Sequence, residues 1–225
     1  MPLISPKQSA ASIVSAHPEC AVVFQQFQID FFSISTTSLD AVCSARNLAT
    51  SDVIDELTCA IDEAEDRALP LPAKLSTLAL LAHIVAKQHE PLRQALSRVS
   101  KLLLTATNSP AKPETSLSVL SKLVAELGAE LLPHLEREEA VLFPMLVAAS
   151  NEPAKLSAEL SRAVAEHSKY VTLLQQLREA SENYRLPDDV SGSYRELVTE
   201  LIQIELDTMQ HLHLENCVLY PRFIA

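Results

Sequence analysis

The sequence predicts an all-α protein: a small helical N-terminal domain followed by an antiparallel four-helix bundle. Three observations carry this reading. Glycine falls to two residues in 225, Gly128 and Gly192, where average usage is about 7%. All-β folds and nucleotide-binding α/β folds spend glycine on turns and phosphate loops, and the chain has no GxGxxG or Walker-type loop. Apolar residues recur at helical spacing through four long segments, and breaks that carry proline or glycine separate them. With 48% hydrophobic residues and a mean hydropathy of +0.12, the chain suffices for one large domain or two small ones.

The elements run in order along the chain. Three short helices are expected over about 11–28, 37–47 and 51–65, the last entered through Thr50 or Ser51 as N-cap. The stretch DRALPLPAK (66–74) holds two prolines and reads as the linker between domains 1–68 and 69–225. The first long helix covers about 76–105, and TNSPAKPET ends it with Pro110 and Pro113. The second covers about 116–149. Asn151 is the expected cap of the third, about 151–184, with Pro153 in its first turn. After RLPDDVSG, the pair Ser193 and Glu196 reads as a capping box opening the fourth, about 193–219. Helices of this length span roughly 40–50 Å, the dimensions of an up-down bundle.

Charge and cysteine content narrow the function. The net charge is −11, from 18 Lys+Arg against 29 Asp+Glu, so a phosphate backbone offers no counterion-release gain and a nucleic-acid partner is not expected. The longest apolar stretch, residues 75–86, is short and broken by Ser76, Thr77 and His83, so no membrane span is expected. The N-terminus lacks a continuous apolar core of the secretory type. Four cysteines, Cys20, Cys43, Cys59 and Cys217, form no CxxC, which suits free thiols in a reducing cytoplasm.

One internal repeat carries chemistry. HLEREEAVLFP from His134 and HLHLENCVLYP from His211 both read H-x-x-x-E-x-x-V-L-aromatic-P. A His and a Glu four residues apart lie about 40° apart around a helix and face the same space. His89 precedes His134 by 45 residues, and His167 precedes His211 by 44. Two copies of a two-helix unit thus bring four imidazoles and two carboxylates to one level of the bundle. Buried together, they would cost several kcal/mol unless paired or metal-bound. The expected ligands are His89, His134, Glu138, His167, His211 and Glu215. Mixed N/O ligation without thiolate suits iron or manganese rather than a closed zinc site. Two bridging carboxylates and an oxide or hydroxide bridge would leave each of two irons with an open position. Expected roles outside the ligand set are modest: His213 on the surface, His83 at most behind a ligand, His17 at a cap or turn, and Glu139 and Glu166 exposed, with tuning of the site or proton shuttling as their other reading. Pro91 and Pro133 are expected to kink their helices beside His89 and His134.

At these residues the chain resembles hemerythrin-like domains, and more closely the RIC (repair of iron centres) family of di-iron proteins. QHEPLRQAL, PHLEREEAVLFPML, AEHSKYVTLL and QHLHLENCVLYPR resemble that family's four ligand segments. The oxygen carrier hemerythrin has a further histidine at the place of Val171 and spaces its last His and Asp one residue wider than His211 and Glu215; both departures favour the repair family. HPECAVVFQQFQIDFF and SLDAVCSARNL resemble its small N-terminal domain, but Phe31-Phe32 stands where a Cys-Cys pair is usual. The resemblance implies a cytoplasmic stress protein that acts on iron–sulfur proteins damaged by nitric oxide or peroxide, with iron donation as the route. Three other readings stay open: a nitric oxide or O2 binding module, a di-iron nitric oxide or peroxide reductase, and a structural bundle with metal as a staple. Enzymatic turnover, a homodimer, and an iron–manganese pair in place of two irons also stay open.

Overall fold

Proline and glycine placement, together with apolar spacing, dictates where each helix stops. A computed structural model describes residues 4–33, 36–64, 71–106, 114–148, 152–186 and 190–224. Among them every regular element is helical, and no helix is long and apolar enough to cross a membrane. The chain divides into two compact units, residues 1–84 with 209–225, and residues 85–208.

In the first unit, α1 (Ala10–Ala16), α2 (Ala21–Gln26), α3 (Leu39–Ala45) and α4 (Thr50–Ala64) form the N-terminal part. The helix expected over 11–28 is split because Pro18 forces His17 out of the α region (φ −136°, ψ 79°), and a 3-10 turn, Pro18–Cys20, comes next. Serines cap two of these helices: Ser9 Oγ accepts the Ser12 amide and Ser38 Oγ the Ala41 amide, each at 3.3 Å. Thr50, expected as a cap, is instead the first helical residue, and its hydroxyl donates to Asp40 at 2.9 Å, tying α4 to α3. On α4, Val53, Leu57 and Ile61 are buried at i, i+4 spacing, the stripe an amphipathic helix lays on its core. All four cysteines are free thiols.

In the second unit, α6 (Glu90–Ala106) packs on α7 (Glu114–Arg137), and α7 on α9 (Pro153–Ala180). The start of α10 (Gly192–His213) joins α6 through Arg98 Nε and Glu200 Oε2 at 3.1 Å, and α9 through Arg178 and Glu205. The contacts close a cycle of four helices. Leu92, Leu96, Val99 and Leu103 on α6 form a buried stripe, as do Leu120, Val124, Leu127 and Leu131 on α7. Ser191, not the expected Ser193, caps α10: its Oγ accepts the Tyr194 amide at 3.3 Å, which leaves Glu196 no capping box to close. The expected cap Asn151 and the breaks at 65–70, 107–113 and 187–189 lie outside the described residues.

The long helices are interrupted at the repeated motifs. α5 (Thr77–Ile84) leads into a π turn, π1 (Val85–His89); α7 leads into π2 (Glu138–Leu142) and then α8 (Phe143–Val147); α10 leads into π3 (Leu214–Leu219). Each π turn ends two residues before a proline: Pro91, Pro144 and Pro221. Proline has no amide hydrogen for the carbonyl four residues back, and its ring pushes that carbonyl away, so the ladder steps to i→i−5 bonding. The wider bonds Phe143 N–H to Glu138 O and Tyr220 N–H to Glu215 O record the step. Pro133, expected to kink its helix, lies inside α7; the irregular turn beside His134 belongs to Pro144.

The buried pair on α9 and α10 is the clearest stability element. Arg178 donates to both Glu205 oxygens, at 3.0 and 2.7 Å, and its guanidinium lies 4.9 Å from the Tyr184 ring centre. Glu205→Ala strands a largely buried guanidinium, so urea denaturation should show a loss of about 3 kcal/mol. The double variant Glu205→Leu, Arg178→Met should recover most of it; a loss unchanged in the double variant would assign the effect to packing instead.

Candidate metal centre

The site is built upward from the helix turns that the prolines set. In the second unit, His89 closes π1, His134 lies in the last turn of α7, Glu138 opens π2, and His167 sits in the unbroken α9. None of the four is more than 2% exposed. The predicted i, i+4 pair is in place, with His134 Nε2 3.2 Å from Glu138 Oε1. The other carboxylate oxygen, Oε2, lies 3.5 Å from His89 Nε2. His134 and His167 approach Nε2 to Nε2 at 3.2 Å, with their rings edge-on.

Outer carboxylates fix which nitrogen of each imidazole faces inward. His89 Nδ1 lies 2.7 Å from Glu139 Oε1, which also accepts from Arg93 Nη2 at 2.8 Å. His134 Nδ1 lies 2.8 Å from Glu166 Oε2, and Glu166 also accepts from Arg137 and from Arg162 Nε at 3.1 Å. Burial raises the affinity of Glu166 for a proton, but its arginine and histidine hydrogen bonds outweigh that and bring its pKa down to about 2; Glu139 is lowered in the same way. An ionised carboxylate only accepts, so Nδ1 of each histidine carries the proton and Nε2 presents a lone pair. Burial, only partly offset by these carboxylates, lowers the pKa of His89 to about 4 and, with His167 beside it, of His134 to about 3. Both rings are therefore neutral at pH 7.

Two imidazole lone pairs thus face one buried carboxylate from opposite oxygens. A cation among these atoms would find two imidazole nitrogens and a carboxylate converging on it. Imidazoles steered by outer carboxylates in this way are the usual surroundings of metal-bound histidine, and the donor set suits a first-row metal of mixed N/O preference. These residues fit the metal that the sequence pattern implies.

The first unit holds the second half of the repeat. His211, in the last turn of α10, lies 3.4 Å from Glu215 Oε2 through Nε2, and Tyr220 donates its hydroxyl to the same oxygen at 3.0 Å. Both ligand candidates are fully buried. His213, expected on the surface, is buried as well: its Nδ1 donates to the Phe31 carbonyl at 2.8 Å, because the segment from Phe31 to Ser33 covers that face of the turn. Asn216 donates to the Phe32 carbonyl at 3.1 Å. Cys217 lies over the same segment, and burial pushes its thiol up to about 12. His83 is half-buried on α5, and His17 marks the turn before Pro18.

Glu139 and Glu166 depart from their expected exposure. They are partly buried, at 32% and 16% side-chain exposure, and hold imidazoles rather than facing solvent freely. Their signal in the sequence is adjacency: each directly follows or precedes an expected ligand, so a turn of helix swings it behind a histidine on the neighbouring helix.

The hemerythrin HHE cation-binding domain matches residues 80–223 of the chain. Among curated proteins the chain is similar to the iron–sulfur cluster repair protein ScdA of Staphylococcus epidermidis, 25% identical over 225 residues, covering 98% of this chain and 99% of that protein. It is also similar to the iron–sulfur cluster repair protein YtfE of an Enterobacter species, 25% identical over 224 residues with 97% of each chain covered. The YtfE protein of Yersinia pseudotuberculosis is 27% identical over 218 residues, with 96% of each covered.

The neutral imidazoles set a pH dependence. Their folded pKa values, about 4 and about 3, lie below the ordinary 6.5, so below pH 6.5 the unfolded chain takes up protons that the folded one refuses. Stability of the metal-free protein is therefore full above pH 6.5 and falls as the pH drops towards 4. Thermal melts at stepped pH should show this decline, and His134→Asn should flatten it. An equally steep decline in that variant would place the titrating groups elsewhere.

Proposed function

Because the chain belongs to the hemerythrin HHE cation-binding family, matched over residues 80–223, we propose that it holds two iron ions on His89, His134, Glu138, His167, His211 and Glu215 and serves in the repair of iron–sulfur clusters damaged by nitrosative or oxidative stress. The observation that supports the two-ion reading is Glu138: one oxygen faces His134 and the other faces His89, so each oxygen could serve a different cation. The internal repeat supplies a second such carboxylate, Glu215, beside its own histidine. We assign 69–225 as the metal-binding domain and 1–68 as a small helical N-terminal domain, in a protein of the cytoplasm. The repair reading rests on the relatives, which are named iron–sulfur cluster repair proteins and align along nearly the whole chain.

The residues suit a centre that gives up iron. Carboxylates change between bridging and terminal binding at little cost, whereas thiolates would hold iron more tightly. When bound, the iron supplies the exchangeable cation; the protein's part is to keep the imidazoles neutral and aimed, and to keep bulk water from a layer of buried ligands. Damaged iron–sulfur proteins would be the transient partners, and nitric oxide or O2 the small ligands of any open position.

Protein purified without oxygen should carry about two irons per chain by mass spectrometry, and His89→Leu and Glu138→Leu should lose most of it with unchanged helical circular dichroism. Iron-loaded protein mixed in stoichiometric amount with a nitric-oxide-damaged cluster enzyme should restore more activity than the same amount of free ferrous iron. Equal recovery would overturn donation. Tight stoichiometric nitrosyl formation without recovery would favour the binding module.

A further inference from the structure

Glu138 divides the second unit's ligands into two groups, and the groups are not held alike. Oε1 faces His134, which shares its inner nitrogen's surroundings with His167 at 3.2 Å. Oε2 faces His89. His134 and His167 project from regular α-helix, α7 and α9. His89 instead closes π1, whose bonding is wider and weaker than an α turn.

The outer carboxylates differ in the same sense. Glu166, behind His134, accepts from two arginines, Arg137 and Arg162, and is 16% exposed. Glu139, behind His89, accepts from one arginine, Arg93, and is 32% exposed. Water and small anions compete more readily for the second arrangement. Tyr170 adds to the first: its ring meets His134 edge-on at 5.2 Å, and its hydroxyl donates to the Glu130 carbonyl at 3.3 Å.

Resting on the two-ion reading, we infer that the two metal positions release unequally. An ion held by His89 would leave first, and an ion held by His134 and His167 would stay. Glu139, pinned by Arg93, is the positioning residue that sets the rate of the first release, and Glu166 sets that of the second. A protein of this kind would deliver one iron per encounter and keep a half-loaded site folded around the other.

The test uses full-length protein loaded anaerobically with two equivalents of ferrous iron and mixed with an excess of a coloured ferrous chelator at fixed pH. The expected trace has two phases, each of about one iron. Glu139→Gln should speed the fast phase about ten-fold, the lower end of what outer-shell substitutions cost a metal site, and leave the slow phase in place. Glu166→Gln should speed the slow phase until the two merge. Arg93→Met should act as Glu139→Gln does, and Arg93→Lys should restore the wild-type rate, a rescue that a general loss of stability would not give. Two ions leaving wild-type protein in one phase, or Glu139→Gln moving both phases alike, overturns the inference alone. Uptake of a single ion overturns the two-ion reading and the inference with it.

Discussion

A carboxylate with no exposure to water, Glu138, sits between the inward nitrogens of two neutral histidines. A buried charge in that position is costly unless a positive partner stands close by. Arginines are near: Arg93, Arg137 and Arg162 all belong to the same unit. Their hydrogen bonds go one layer outward, to Glu139 and Glu166. The charges therefore alternate from outside inward, with arginine, then carboxylate, then neutral imidazole, then the central carboxylate. Arginines bound at the centre would compete with a metal for Glu138. Placed outside, they keep the outer carboxylates ionised, which fixes each histidine's proton on Nδ1 and its lone pair inward.

The helices answer to the same constraint. A straight α-helix carries His and Glu at i, i+4 onto one stripe, and re-aiming a side chain off that stripe needs a local change in the helix. The π turns supply the adjustment, because each inserts extra backbone into the ladder and rotates the helix beyond it. Pro91, Pro144 and Pro221 localise them, each two residues beyond a π turn. α9 has no proline beyond Pro153 at its start, and His167 sits on regular helix. The motif H-x-x-x-E-x-x-V-L-aromatic-P thus holds both halves of the device: the ligands, and the residue that bends the helix to aim them.

The same device explains which features are legible in the sequence and which are not. The helix inventory, the free thiols and the buried histidines with glutamates emerge from apolar spacing, glycine scarcity and the repeat. The prolines mislead, since Pro133 resembles a kink site by position while Pro144 and Pro221 look like mere tails of the motif. The expected caps fail at Thr50, which is already helical and turns its hydroxyl to Asp40, and at Ser193, where the neighbouring Ser191 takes the amide. Glu139, Glu166 and His213 read as surface groups because a helical wheel gives direction within one helix. Whether a neighbouring chain segment covers that direction is a tertiary fact. For His213 the covering segment is Phe31 to Ser33, some 180 residues away in sequence.

That segment also constrains how repair could work in this chain. The family resemblance places a vicinal thiol pair at 31–32, yet phenylalanine stands at both positions. The contacts that hold the segment on π3 are made by its backbone: the carbonyls of Phe31 and Phe32 accept from His213 and Asn216. Side-chain identity at 31 and 32 is therefore free to change without undocking the segment, provided the replacements suit a buried site; Phe31 does, packing near Phe24, Phe32 and His213. Cys217, whose thiol lies against this segment, is held protonated by burial, its pKa pushed up to about 12, and so is a poor ligand for iron in transit. Under the proposed function, iron leaving this protein passes by carboxylate and imidazole exchange rather than along a thiolate relay. The labile side of the layer, beside His89 and its partly exposed outer carboxylate Glu139, is then the place where that exchange begins.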